Sequence, residues 1–229
     1  MLFSALGDRA VLITLGDTID EATHRHVRAV TARIDAAPPA GLVDRVPAFA
    51  SVVVHYDPAL VAAPGRSPYD AMVAGLQRLL AETRVDALPV PRTVDIPVCY
   101  GGTLGPDLED VARQHGLSAQ EVVDTHRAGD YLVYMVGFMP GFAYLGGLPS
   151  TIATPRRQTP RTAVPAGSVG IGGEQTGVYP LVSPGGWNLI GRTPRRIFDI
   201  GRSEPALLVT GDRVRFRAIS LDEFDAWTE

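Results

Sequence analysis

This chain of 229 residues contains no lysine: its 21 basic side chains are all arginine. That absence excludes Schiff-base chemistry through a side-chain amine, and it excludes the phosphate-binding loop whose lysine reaches the terminal phosphates. A single cysteine, Cys99, excludes an internal disulfide and a cysteine-cluster metal site. Its place in an apolar strand fits a small buried hydrophobe. No apolar run approaches the ~20 residues that a membrane helix requires. The opening MLFSALGDRA lacks a basic region followed by an apolar one. A cytoplasmic protein is therefore expected, with no membrane partner. The net charge of -4 is spread without acidic or basic blocks. Nucleic acid is thereby disfavoured as a partner, since its binding proteins normally carry a basic face. The five histidines lack metal-ligand spacing with nearby acids, so no protein-bound metal is expected.

What is present in excess lies between Gly137 and Pro194. Twelve of the 24 glycines and eight of the 19 prolines fall there, with four arginines, one glutamate and no aspartate. Glycine and proline both disfavour helix interiors, through backbone freedom and a missing N–H. Yet Phe138, Phe142, Tyr144, Leu148, Ile171, Tyr179 and Trp187 are interleaved with these breakers, which a disordered segment would not show. Ordered, aromatic, glycine-rich loops with convergent arginines usually build a binding surface on a rigid scaffold.

The first third has a different rhythm. Strands are expected at Ala10–Leu15, Leu42–Ala48, Ser51–Tyr56 and Arg92–Val98, and helices near Asp20–Ala36 and Pro68–Arg84. That order, β-α-β-β-α-β, matches the ferredoxin-like sandwich. Leu88-Pro89-Val90-Pro91 reads as a stiff linker, dividing a domain 1–90 from a domain 91–229. Two short helices follow, Pro106–His115 ended by Gly116, and Ala119–Arg127 opened by a Ser118/Glu121 capping box. From Tyr131 short strands alternate with turns, among them Ala206–Val209 and Arg213–Arg217 flanking Gly211-Asp212. The fold class is thus α+β, its second part a closed or nearly closed barrel.

Several signals compete for function. Ala166-Gly167-Ser168-Val169-Gly170 resembles a nucleophile elbow, but the glycines after it cannot supply the required helix. His126 ends a helix just before the barrel strands; it either favours the helix dipole or serves as acid–base catalyst. Arg156, Arg157 and Arg161 lie within six residues with no acid nearby in sequence. Their planar forks suit carboxylate or phosphate, unless distant acids hold them or the loop is simply solvated. Gly185-Gly186-Trp187, with Arg192 close behind, offers backbone N–H groups beside a flat aromatic; a glycine turn next to a core tryptophan is the competing reading. Gln175 has the amide chemistry to read a lactam.

VGFMPGFAYLGGLP, TPRRQTPRTAVPAGSVGIGGEQTGVYPLVSPGGWNLIGRTP and PALLVTGDRVRF resemble the family called allophanate hydrolase subunit 1. That family includes the B subunit of bacterial 5-oxoprolinase (PxpB) and the kinase inhibitor KipI. The resemblance spans nearly the full length, with DIPVCYGG and GPDLEDVA ahead of the barrel. It implies a small N-terminal α/β domain before a cyclophilin-like β-barrel similar to the carboxyltransferase part of urea carboxylase. It implies a homologous second subunit (allophanate hydrolase subunit 2, PxpC or KipA), a third subunit (PxpA), and ATP as cosubstrate in opening 5-oxo-L-proline to L-glutamate. On that reading His126 and Gln175 are the candidate catalytic residues. Arg156, Arg157, Arg161, Gly185, Gly186, Trp187 and Arg192 are the candidate substrate- and anion-binding residues. The other expectations are a KipI-type inhibitor that grips a sensor kinase without turnover and, from the barrel alone, a prolyl isomerase.

Overall fold

The computed structural model describes residues 1–61, 64–81, 83, 88 and 90–228. The expected end of the second helix at Arg84, and Pro89 of the expected linker, lie outside the described residues. Two compact units divide the chain, Met1–Val90 and Pro91–Glu229.

In the first unit β1 (Leu2–Ala5), β2 (Ala10–Thr14), β3 (Leu42–Pro47) and β4 (Ser51–Tyr56) form one antiparallel sheet in the order β1-β2-β4-β3. Alternation in β4 buries Val52, Val54 and Tyr56 on one face. Two helices supply the rest of this core. In α1 (Glu21–Ala36), Val27, Val30 and Ile34 are buried, and the Asp20 carboxylate caps the start by accepting the Thr23 N–H at 2.7 Å. In α2 (Pro68–Leu80), Met72, Leu76 and Leu80 are buried. The spatial order is that of the ferredoxin-like sandwich, with one correction to its bookends. The edge strand beside β2 is Leu2–Ala5, and the expected fourth strand Arg92–Val98 belongs to the other unit.

The reason lies in its pairing. That segment, β5 (Thr93–Tyr100), runs parallel to β13 (Arg213–Ala218) from Thr93↔Arg213 to Val98↔Ala218. The other barrel strands are β6 (Tyr131–Val136), β7 (Ala143–Gly146), β9 (Ser168–Gly172), β10 (Gln175–Val178) and β12 (Asn188–Arg192). Seven strands close in the order β10-β7-β6-β13-β5-β12-β9, with β9 returning to β10. A separate two-stranded ribbon pairs β8 (Arg161–Val164) with β11 (Ser183–Gly185). Ala206–Val209 is not a strand; Ala206 makes one bridge to Phe198. Side chains take the backbone groups that a ladder would have used. The Val209 N–H donates to Asp212 at 3.0 Å, and the Leu207 carbonyl accepts from Arg92 at 2.9 Å.

Two helices precede the barrel's antiparallel strands. Helix α3 (Leu108–His115) ends at Gly116, whose φ of 66° is the left-handed conformation that favours glycine. Helix α4 (Ala119–Ala128) begins on the full Ser118/Glu121 capping box. Both bury residues in the barrel core, Val111 and Ala112 from α3, Val122 and Val123 from α4, against Ile96, Val133, Leu145, Ile171 and Phe216. A last short helix, α5 (Leu221–Asp225), follows β13. No described helix is long and apolar enough to cross a membrane.

Candidate functional site

Trp187 is the centre of a satellite cluster beside the main barrel core, packed with Phe142, Val164, Tyr179 and Leu189. It is 5% exposed, and its floor is made of glycines. Gly170, Gly172 and Gly177 occupy one face of the β9–β10 hairpin, and a side chain on Gly172 would stand 2.5 Å from the indole nitrogen. Only glycine lets the indole lie so close to the sheet. Phe142 stands edge-on to Trp187 at 5.5 Å and to Tyr179 at 5.4 Å. Gln175 pairs directly with Gly172, so the period of two places it on this same face. An alanine at Gly172 is expected to displace the indole and cost about 1–3 kcal/mol, as overpacking does. Near-ultraviolet circular dichroism together with a thermal melt would check it.

The arginines sit on the loop and ribbon next to this cluster. Asn188, the residue after Trp187, anchors the loop by donating from its amide nitrogen to the Pro155 carbonyl at 2.9 Å. The Arg157 N–H donates to the Gly186 carbonyl at 2.7 Å, and Gly185 pairs with Arg161 across the β8–β11 ribbon. Arg156 lies over the Trp187 ring, its guanidinium carbon 5.9 Å from the centroid. These five expected residues, with Trp187, come together.

An acid missed in the sequence holds two of them. Asp107, 3% exposed at the start of α3, accepts from Arg157 Nη1 at 2.8 Å and Arg161 Nη2 at 2.7 Å on the same carboxylate oxygen. Its other oxygen accepts the Leu189 N–H at 2.7 Å, while its own N–H donates to the Leu189 carbonyl at 2.9 Å. Of the alternatives the sequence left open, a distant acid holds Arg157 and Arg161: it comes from 50 residues away from Arg157 in the chain. Nothing in the Gly105-Pro106-Asp107 sequence separates such an anchor from an ordinary helix cap, and Asp107 makes no side-chain cap bond. Three guanidinium groups against one carboxylate leave the cluster net cationic. Arg157 Nε and Arg161 Nη1 are shielded from water and have no hydrogen-bond partner among the described residues. These are donors in need of an acceptor. Tyr179 was also missed as a site residue. Burial pushes its phenol above the usual value, while the Trp187 backbone, Arg156 and Arg161 pull the other way.

The remaining candidates sit apart. Arg192 donates from Nε to the Ala166 carbonyl at 2.8 Å and lines a cavity of about 340 Å³ with Arg195, Arg196 and Phe224. None of the other three candidate arginines lines that cavity. His126 is wholly buried from α4, 4.5 Å from the Phe216 ring. Its Nε2 is 3.0 Å from the Thr176 hydroxyl and its Nδ1 2.9 Å from the Tyr100 hydroxyl. Thr176 spends its own proton on the Gly170 carbonyl at 2.9 Å. It therefore accepts from His126 Nε2–H, and Tyr100 donates to Nδ1. Both ring nitrogens are thus used, and burial lowers the imidazole's pKa from 6.5 to about 3. The histidine ties α4 and β5 to β10, the strand that carries Gln175. Among the described residues no group of three or more His, Cys, Asp or Glu is placed to hold a metal ion.

A closed barrel in one unit and a small sandwich in the other fit a carboxyltransferase-type domain. The model of the carboxyltransferase domain, subdomains C and D, matches residues 1–208, and the chain belongs to that family. It is 46% identical over 232 residues to the B subunit of 5-oxoprolinase from Bacillus subtilis, covering 98% of this chain and 95% of that one. It is 44% identical over 212 residues to the protein of the same name in Escherichia coli O157:H7, covering 92% and 93%. Among solved structures, TTHA0988 superposes with a TM-score of 0.78 at 38% identity over 93% of this chain. The chain spans 40% of the length of that protein.

Proposed function

We propose that this chain is the PxpB-type component of an ATP-dependent 5-oxoprolinase, active in assembly with PxpC-type and PxpA-type partners, in the cytoplasm. The observation that supports it is the convergence of Arg156, Arg157 and Arg161 on the Trp187 face that Gln175 shares. The near full-length similarity to proteins named as the B component of 5-oxoprolinase agrees with it.

A lactam is a resonance-stabilised amide, and water does not open it at useful rates near neutral pH. Transfer of the γ-phosphoryl group from ATP to the lactam oxygen, with ADP departing, makes the ring carbon electrophilic. Water then adds at that carbon, and the ring C–N bond breaks as the nitrogen takes up a proton. A second water releases phosphate and leaves the glutamate carboxylate. Both the substrate carboxylate and the transferring phosphoryl group are anions that fixed donors must hold in line. Arg157 and Arg161, fixed by Asp107, supply oriented donors, and Arg156 adds charge above an apolar ring surface. Gln175 reads the lactam amide, and His126 holds the hairpin that carries it.

Co-expression with both partner subunits should give ATP consumption that depends on 5-oxoproline, whereas the isolated chain should give none. Arg156→Ala is the informative variant, because Arg156 is exposed and does not touch Asp107. It should fold normally and slow oxoproline-dependent turnover about tenfold or more, the worth of one charge-assisted contact. Unchanged turnover in Arg156→Ala, or an assembled complex indifferent to oxoproline, would overturn this reading. Arg157→Ala and Arg161→Ala should show the same loss together with a lower melting temperature, since each removes a partner of Asp107.

A further inference from the structure

A second cationic recess lies in the barrel unit, built from residues that the proposed reaction leaves unused. It has a volume of about 650 Å³, and three segments bring arginines to its wall: Arg195 after β12, Arg202 in the following loop and Arg217 on β13. Trp227 and Leu207 supply an apolar flank, and Asp95 on β5 is the carboxylate in the lining.

Several arginines elsewhere in this chain are met by carboxylates at full contact. Arg92 reaches Asp212 at 2.6 Å, Arg213 reaches Asp130 at 2.7 Å, and Arg45 reaches Asp35 at 2.7 Å. In the recess Arg195 and Arg217 are not met in that way. Arg217 has its nearest carboxylate, Glu223, at 4.0 Å. Arg195 gives its Nη1 to the neutral Asp95 carbonyl at 2.8 Å, and among the described residues no carboxylate lies within 4.0 Å of it. Arg195 and Arg217 thus line the cavity with no carboxylate closer than 4.0 Å among the described residues, while Arg202 has Asp199 at 4.0 Å and donates to the Arg196 carbonyl at 3.2 Å. Trp227 is half-buried, and its indole N–H is shielded from water with no hydrogen-bond partner among the described residues.

We propose that this recess binds a nucleoside phosphate. Guanidinium forks arriving from different segments suit an anion with oxygens in several directions, as phosphate has, better than a planar carboxylate that one fork satisfies. The indole and Leu207 give a flat apolar surface on which a base can stack. Asp95 would repel a bare polyanion, and it accepts from a ribose hydroxyl or an exocyclic amine. One phosphate, one sugar and one base match charge, hydrogen bonding and surface together. The site is independent of the proposed lactam chemistry, because binding is read on the chain alone with no partner and no turnover.

The test titrates the full-length chain with AMP, ribose 5-phosphate and inorganic phosphate, reading calorimetry and tryptophan fluorescence. AMP should bind saturably and quench emission, and ribose 5-phosphate should bind about tenfold more weakly, the lower end of what a stacked base contributes. Arg195→Gln and Arg217→Gln should each weaken AMP about tenfold with an unchanged melt, and Trp227→Phe should abolish the quench. The proposal is overturned if AMP fails to saturate at millimolar concentration, or if inorganic phosphate binds as tightly as AMP. It is equally overturned if both arginine variants keep full affinity, or if the quench survives in Trp227→Phe.

Discussion

Asp107→Ala is expected to melt the barrel unit about 10 °C below the parent chain. Removing one member of a buried ion pair typically costs 3–5 kcal/mol, because the partner left behind has lost its counter-charge. Here one carboxylate serves two guanidinium groups and a backbone N–H, each at 2.7–2.8 Å. The arginine side chains are 36% and 24% exposed, so water recovers part of the loss. About 3 kcal/mol is therefore the appropriate figure, and for a unit of this size each kilocalorie is worth about 2–4 °C. Asp107→Asn keeps the shape but not the charge, and its amide group meets either a guanidinium or the Leu189 N–H donor to donor. It should recover little of the loss. A melt within 2–3 °C of the parent for both variants would show that the arginines hold their places without Asp107. On the function proposed above, oxoproline-dependent turnover in the assembled complex should fall in parallel, because Arg157 and Arg161 lose the anchor that orients them.

The Asp107 cluster also marks where sequence reasoning stops. Features closed within a few residues were legible: the Ser118/Glu121 capping box, the left-handed Gly116, and the helical spacing of Val27, Val30 and Ile34. Each depends on neighbours less than two helical turns away. The alternation of Val94, Ile96 and Val98 announces a buried strand face but not the sheet that receives it. That strand's parallel partner begins at Arg213, well over a hundred residues later, and its assignment to a sandwich of β-α-β-β-α-β order failed there. Leu2–Ala5, which fills the vacant edge, is too short to show a period. Convergence of the arginines with Trp187 was readable from composition, since glycine, proline and aromatics crowd one segment. Their counter-ion was not, because an aspartate opening a helix has a commoner local explanation. His126 shows the same limit. Its position before the barrel strands suggested chemistry, whereas the fold turns it inward onto Tyr100 and Thr176, which sequence spacing does not reveal.

That inward placement carries the other large effect, a loss of stability in mild acid. Burial holds the His126 imidazole neutral down to about pH 3, whereas in an unfolded chain it takes a proton near 6.5. As pH falls below 6.5 the unfolded state binds a proton that the native state refuses, so stability declines with pH. His126's contribution is therefore complete above pH 6.5 and is lost progressively toward pH 3. At 1.36 kcal/mol for each unit of difference, the barrel unit should lose about 3 kcal/mol by pH 4. His24 in the sandwich unit follows the same sign, lowered to about 4 by burial and then by the Arg28 charge. The carboxylates with depressed values, Asp20, Glu121, Asp199 and Glu223, lose their contribution only as pH falls below the ordinary carboxylate range. The interval between pH 4.5 and 6.5 thus lies above the range where these four carboxylates act and within the range where His126 and His24 do. Urea midpoints of the parent should fall steadily across it, and His126→Asn, less stable at pH 7, should show a shallower decline in the barrel unit. An His126 ring that titrates near pH 6.5 by nuclear magnetic resonance, or a variant whose slope matches the parent's, would refute the buried neutral imidazole and the hydrogen-bonded tautomer assigned to it.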